Sequence, residues 1–175
     1  MVAVAERLRR LPEERPIVAL VVAVIACEVV GASGAVFTAQ GLESWYVTLA
    51  RPDLAPPNWV FGPVWTTLFA LLGVAVWLVW RRASGPAAAS QVGQVRTALG
   101  VFAVHFAFNV AWSAVFFGAR SIAGGLAVIA VLWVLIVATI RAFDRVDRRA
   151  ALLLVPYLAW VSFAAYLNYR FWALN

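Results

Sequence analysis

The chain has 175 residues, of which 65% are hydrophobic and 13% charged, with a mean hydropathy of +0.89. Soluble domains carry roughly 25% charged residues, so this composition excludes a soluble enzyme and equally a disordered chain. The net charge of +6 comes from 14 basic residues, all Arg, set against eight acids, and the arginines flank apolar runs. That placement favours contact with a membrane surface and argues against nucleic acid as a partner. The one cysteine, Cys27, excludes a disulfide scaffold and a Cys-rich metal site. Nine Trp, four Tyr and 11 Phe must line a site or anchor the chain at a membrane interface.

Residues 1–15 read as a cytoplasmic head, and residues 16–175 as one membrane domain. A bilayer core of about 30 Å needs about 20 helical residues. Five apolar runs meet that length: Ile17–Gln40, Asn58–Trp80, Val95–Phe117, Ile122–Phe143 and Ala150–Leu174. In lipid, backbone polar groups must bond within their own segment, so the runs are helices and the fold class is all-α. Glu28 interrupts the first run, which is also too long for the core of a signal peptide. The connection Gly41–Pro57 holds Trp45, Tyr46, Arg51, Asp53 and several prolines. It is too long for a hairpin and too aromatic for a passive linker. Arg81 to Pro86 closes the second run, Gly118 to Ser121 forms a tight turn with Ser121 as N-cap, and Asp144 to Arg149 joins the last two runs.

Arginine counting orients the bundle. With alternating spans, 11 arginines fall on one side and Arg51, Arg120 and Arg170 on the other. The positive-inside rule then places the N-terminus in the cytoplasm, in a multi-pass protein of the cell membrane.

The third run has two faces. His105, Asn109, Trp112 and Phe116 fall within about 60° of one another at 100° per residue. Opposite them lie Ala103, Ala107 and Ala114, a small-residue stripe that lets helices approach closely. Both faces can simply pack within a bundle. Alternatively, the polar face borders a cavity and the Ala face is a homodimer contact. Glu28 and His105 reach similar depths near the midplane. Intramembrane polar groups of this kind need partners; each is a functional candidate or only a hydrogen-bonded strut. Trp65, Trp112 and Trp160 converge with Asn109 beneath the aromatic connection, and Ala164 leaves room beside Trp160. A flat aromatic ligand suits such walls, although the indoles can also simply fill core space. Trp59 and Trp172 near span ends read as interface anchors. Hydrolytic machinery, a closed zinc site, a phosphate-binding loop and a charged pore are all without a matching pattern; no metal is expected.

Three stretches carry a resemblance. Trp45-Tyr46, Arg51-Pro52, Pro56-Pro57-Asn58-Trp59 and Phe61-Gly62-Pro63-Val64-Trp65 follow in order. Asn109-Val110-Ala111-Trp112 to Phe116-Phe117-Gly118 lies in the third run, and Pro156-Tyr157-Leu158-Ala159-Trp160 to Asn168 in the fifth. Together they closely resemble the signatures of the TspO/translocator protein family, the tryptophan-rich sensory proteins related to the peripheral benzodiazepine receptor.

The resemblance implies a five-helix membrane bundle, commonly dimeric, that binds porphyrins such as protoporphyrin IX and haem; some members bind cholesterol. It carries ligand-pocket roles onto Tyr46, Pro56, Trp65, Asn109, Trp112, Trp160 and Ala164. No cofactor is required; the tetrapyrrole is the ligand. The leading reading is a sensor or regulator of porphyrin handling. A light-dependent porphyrin-degrading enzyme using Trp65 and Trp160 is one alternative, and a porphyrin or sterol transporter another. Two positions depart from the pattern: His105 stands where Gln is common, and Ala173 follows Trp172 where Arg is common. Val161, Tyr166 and Arg170 satisfy the loose cholesterol pattern.

Overall fold

Among the described residues, every regular element of the computed structural model is helical. The structure describes residues 10–42, 44–84 and 88–175, without the side chains of 88 and 89. Most of the expected head, residues 1–9, lies outside the described residues. Five helices are long and apolar enough to cross a bilayer: Pro16–Leu42, Asn58–Ala83, Ser90–Gly118, Ile122–Asp144 and Arg148–Leu174. These are the five spans read from the sequence, with ends moved by a few residues. The protein is therefore an integral multi-pass membrane protein.

Glu28 interrupts the apolar run of the first span but not its helix; the helix has one irregularity, elsewhere. Its helical pieces are Pro16–Ser33 and Ala35–Leu42, and the break falls at Gly34. A carboxyl on a side chain costs the helix backbone nothing, whereas glycine is a weak helix former. The two parts of the span meet different partners. Pro16–Ser33 packs on Phe61–Trp80 of the second span, while Ala35–Leu42 packs on the end of the third. Glycines permit both contacts. A Cβ on Gly73 would come within 2.5 Å of the Val24 Cα, and one on Gly41 within 2.8 Å of the Phe117 carbonyl oxygen.

The third span ends in a wide turn. Its α-helix runs to Ser113, and Ala114–Gly118 is π-helical, closed by the Ala119 amide donating to the Ala114 carbonyl at 2.8 Å. The extra residue swings Phe116 and Phe117 toward Tyr46 and Phe171, and the four form a second buried cluster. Arg120 then turns the chain with φ of 54°. Ser121 caps the fourth span as expected, accepting from the Gly124 amide at 3.1 Å.

At the opposite end, Asp147 joins three elements. Its side chain is 3% exposed and accepts from Arg82 Nη2 at 2.8 Å, from Arg149 Nη2 at 3.1 Å and from the Arg149 amide at 3.0 Å. Burial raises the carboxyl pKa, but the hydrogen bonds from Arg149 and Arg82 outweigh it and hold the group at about 2. Folding thus lowers this pKa from its ordinary 3.8. The resulting stability is complete above about pH 4 and is lost as pH falls toward 2. The melting temperature in detergent should drop across that window. Asp147→Asn should flatten the drop and lower stability at neutral pH by about 1–3 kcal/mol, because two guanidinium groups lose their anionic partner. An unchanged acid slope in the variant would contradict the role given to Asp147.

Candidate functional site

Four of the five spans and the first connection enclose a cavity of about 270 Å³. The first span contributes a stripe at helical spacing: Glu28, Gly31, Ala32, Ala35 and Thr38. The second contributes Asn58, Phe61, Trp65, Thr66 and Phe69, the third Asn109, Trp112, Ser113 and Phe117, and the fifth Trp160 and Ala164. Tyr46 reaches the cavity from the connection.

Seven aromatic rings line the wall. Trp65 stacks on Phe69 with centroids 5.3 Å apart and meets Trp160 edge-on at 6.5 Å and Tyr157 at 6.2 Å. Trp112 stacks on Phe116 at 5.2 Å. Trp65, Asn109, Trp112 and Trp160 all line the cavity. Glycine makes room for it: a Cβ on Gly31 would overlap the Phe69 ring.

The cavity has a side as well as a roof. Ala32 and Ala35 on one span, and Gly62 and Thr66 on the next, line it while remaining exposed on the lipid-facing surface. A slot therefore runs between the first two spans above the Gly34 break. The roof is the connection. Tyr46, 4% exposed, packs on Phe117 and Phe171 with centroids at 5.8 and 5.1 Å. The Arg51 guanidinium lies 5.6 Å from the centre of the Tyr46 ring and donates to the Pro56 carbonyl at 3.1 Å.

Polar groups behind the wall bond to one another. Asn109 donates from Nδ2 to the Tyr157 hydroxyl at 2.8 Å. Trp112 Nε1 donates to Asn168 Oδ1 at 3.1 Å, and Asn168 Nδ2 donates to the Ile122 carbonyl at 2.9 Å. These bonds tie the third span to the fifth, and the fifth to the start of the fourth. The connection is held by Asn175, whose amide exchanges two hydrogen bonds with the Ala50 backbone, at 2.9 and 3.2 Å.

The sequence-derived candidates divide. Tyr46, Trp65, Asn109, Trp112, Trp160, Ala164 and Glu28 share the cavity. Pro56 is not among its lining residues and belongs to the connection. His105 is fully buried behind it, with Nδ1 3.2 Å from the Thr139 hydroxyl. Tyr157 accounts for this separation: its ring lies 5.3 Å from His105 and its hydroxyl takes the Asn109 amide. Phe116, on the same helical face, joins the roof cluster. Ala103 and Ala107 are exposed and Ala114 half-buried. Trp59 and Trp172 are exposed at span ends. Val161 of the cholesterol pattern is in the core at 1% exposure, whereas Tyr166 is exposed, so that triplet does not share one outer face.

Sequence reasoning did not single out Tyr157, Asn168 or Asn175 as structural partners. Two of these had a readable signal. Tyr157, Trp160, Ala164 and Asn168 form one stripe at helical spacing.

The model of the TspO/MBR family matches residues 23–173. A tryptophan-rich protein TspO of Chlorobaculum tepidum is 41% identical over 165 residues, covering 92% of this chain and 98% of its own. Protein CrtK of Rhodobacter capsulatus is 37% identical over 86% of this chain and 89% of its own. The translocator protein of Homo sapiens is 39% identical over 78% and 77% respectively.

Asn109→Leu removes the donor to Tyr157 and leaves a buried hydroxyl unpaired. The variant should lose about 1–3 kcal/mol of stability, visible as a lower melting temperature in detergent. A parental melting temperature would mean that the bond to Tyr157 does not hold the third and fifth spans together.

Proposed function

The chain belongs to the TspO/MBR family, and on that premise we propose that it binds tetrapyrroles, protoporphyrin IX or haem, in the cavity beneath the connection. The biological role in this reading is that of a sensor or regulator of porphyrin handling. The observation that carries it is the convergence of Trp65, Trp112 and Trp160 on one cavity. Flat apolar rings are held by stacking and burial, with few polar groups fixing orientation. The volume of about 270 Å³ falls just below the range for small-molecule sites, roughly 300–1,000 Å³. A tetrapyrrole therefore seats with one edge in the slot between Ala35 and Thr66. Its carboxylates turn toward the roof, where Arg51 offers a cation.

Titration with protoporphyrin IX in the dark, followed by Trp fluorescence, tests the binding. Saturable quenching with one site per chain is expected; absence of saturable quenching contradicts it. The contact of Trp65 with Trp160 at 6.5 Å favours a second reading, in which an indole serves as electron donor to the photo-excited ring. The Trp65→Phe/Trp160→Phe variant keeps most of the stacking surface but lacks the oxidisable indoles. It should bind porphyrin within about threefold of the parent, a difference of well under 1 kcal/mol, and lose light-driven degradation in air. Degradation at the parent rate removes these residues from the photochemistry.

We also place the N-terminus in the cytoplasm, because 11 of 14 arginines lie on that side. The same reading makes the protein a homodimer through Ala103, Ala107 and Ala114. Ala107→Leu should shift the protein toward monomer by light-scattering mass while sparing porphyrin affinity. An unchanged mass would move the interface elsewhere.

A further inference from the structure

Glu28 is the sole formally charged side chain among the residues lining the cavity. It is half-buried and makes no hydrogen bond or ion pair among the described residues. Its depth makes this costly. Glu28 lies 12 residues from Pro16 and 14 from Leu42, or about 18 and 21 Å along the span at 1.5 Å per residue. A carboxyl so far from either surface requires a partner or a proton. Two donors of the wall are already committed, the Asn109 amide to Tyr157 and the Trp112 indole to Asn168, while the Trp160 indole N–H is buried without a partner among the described residues and makes no bond to Glu28. The cavity thus has an acceptor at its deep end, and the cation of the connection, Arg51, is at the other.

We propose that Glu28 is a specificity-determining residue of this cavity, accepting a hydrogen bond from an N–H donor or cationic group at the deep edge of a flat aromatic ligand. Ligands whose deep edge offers no donor leave the carboxyl without a partner and are bound less tightly. The inference rests on the cavity's being a ligand site and adds an orientation for ligands that carry an N–H donor at one edge: donor edge down. It does not require that the ligand be a tetrapyrrole.

The test uses anthracene and 2-aminoanthracene, flat rings that differ by one donor group, each titrated against purified protein in detergent. Partition into protein-free detergent is subtracted. Trp fluorescence reads binding for the parent, Glu28→Leu and Glu28→Gln. The parent should prefer the amine by about fivefold or more, the factor that one net hydrogen bond supplies. Glu28→Leu should bring the ratio close to one while keeping anthracene affinity within about twofold. Glu28→Gln keeps an acceptor oxygen without the charge, so its ratio should fall between the two. A parent that binds neither probe, or binds both equally, overturns the proposal, as does a preference unchanged in both variants. Protoporphyrin IX titrated into the same samples reports the tetrapyrrole reading separately. Amine preference without porphyrin binding removes the tetrapyrrole and keeps Glu28; porphyrin binding without amine preference does the reverse.

Discussion

The contact between the first two spans sets the shape of everything above it. Val24 lies against the backbone of Gly73, and one side chain there would drive the helices apart. With no hydrophobic force between helices in lipid, such close packing is what holds them together. The Gly34 break then ends their partnership. Beyond it the first span leans on the π-helical end of the third. A pair of straight helices in continuous contact would leave no slot. A pair joined at one half and diverging at the other leaves a wedge-shaped space, which the rings of the second, third and fifth spans line.

Several polar groups that hold those rings in place bond to one another within the protein, while the buried Trp160 Nε1 and His105 Nε2 have no partner among the described residues. Asn109 with Tyr157 joins the third and fifth spans, and Trp112 with Asn168 and Asn168 with Ile122 run from the third through the fifth to the start of the fourth. His105 and Thr139 make a further link between the third and fourth spans. Each bond consumes donors that would otherwise be stranded in an apolar interior. The polar groups thus divide between scaffold and site. Asn109 borders the cavity yet spends its donor on Tyr157, while Glu28 faces the same space with its carboxyl uncommitted. Depth alone did not distinguish these roles; the identity of the opposing side chain did.

The five spans were legible in the sequence because hydrocarbon permits few alternatives to a long apolar helix. Ser121 was legible as a cap because its side chain acts on its own helix. The ring convergence was legible because depth along a helix follows directly from residue count. Contacts between helices were harder to read. A single helical face of the third span holds His105, Asn109, Trp112 and Phe116, but the structure sends them to three surroundings, because Tyr157 and Tyr46 arrive from elsewhere. The irregularity at Gly34 was masked by an otherwise apolar run. Asn175 fastens the connection to the end of the fifth span, a pairing across 125 residues that no local pattern announces.

The central claim is that the space beneath the connection, bounded by Trp65, Trp112 and Trp160, is where this protein holds a flat aromatic ligand. An experimental structure of the protein with protoporphyrin IX bound tests this most directly. The account predicts ring density between those indoles, with one edge in the slot between Ala35 and Thr66 and the carboxylates beneath Arg51. Ring density confined to the outer surface of the spans, with the indole-lined space filled only by side chains, would contradict it.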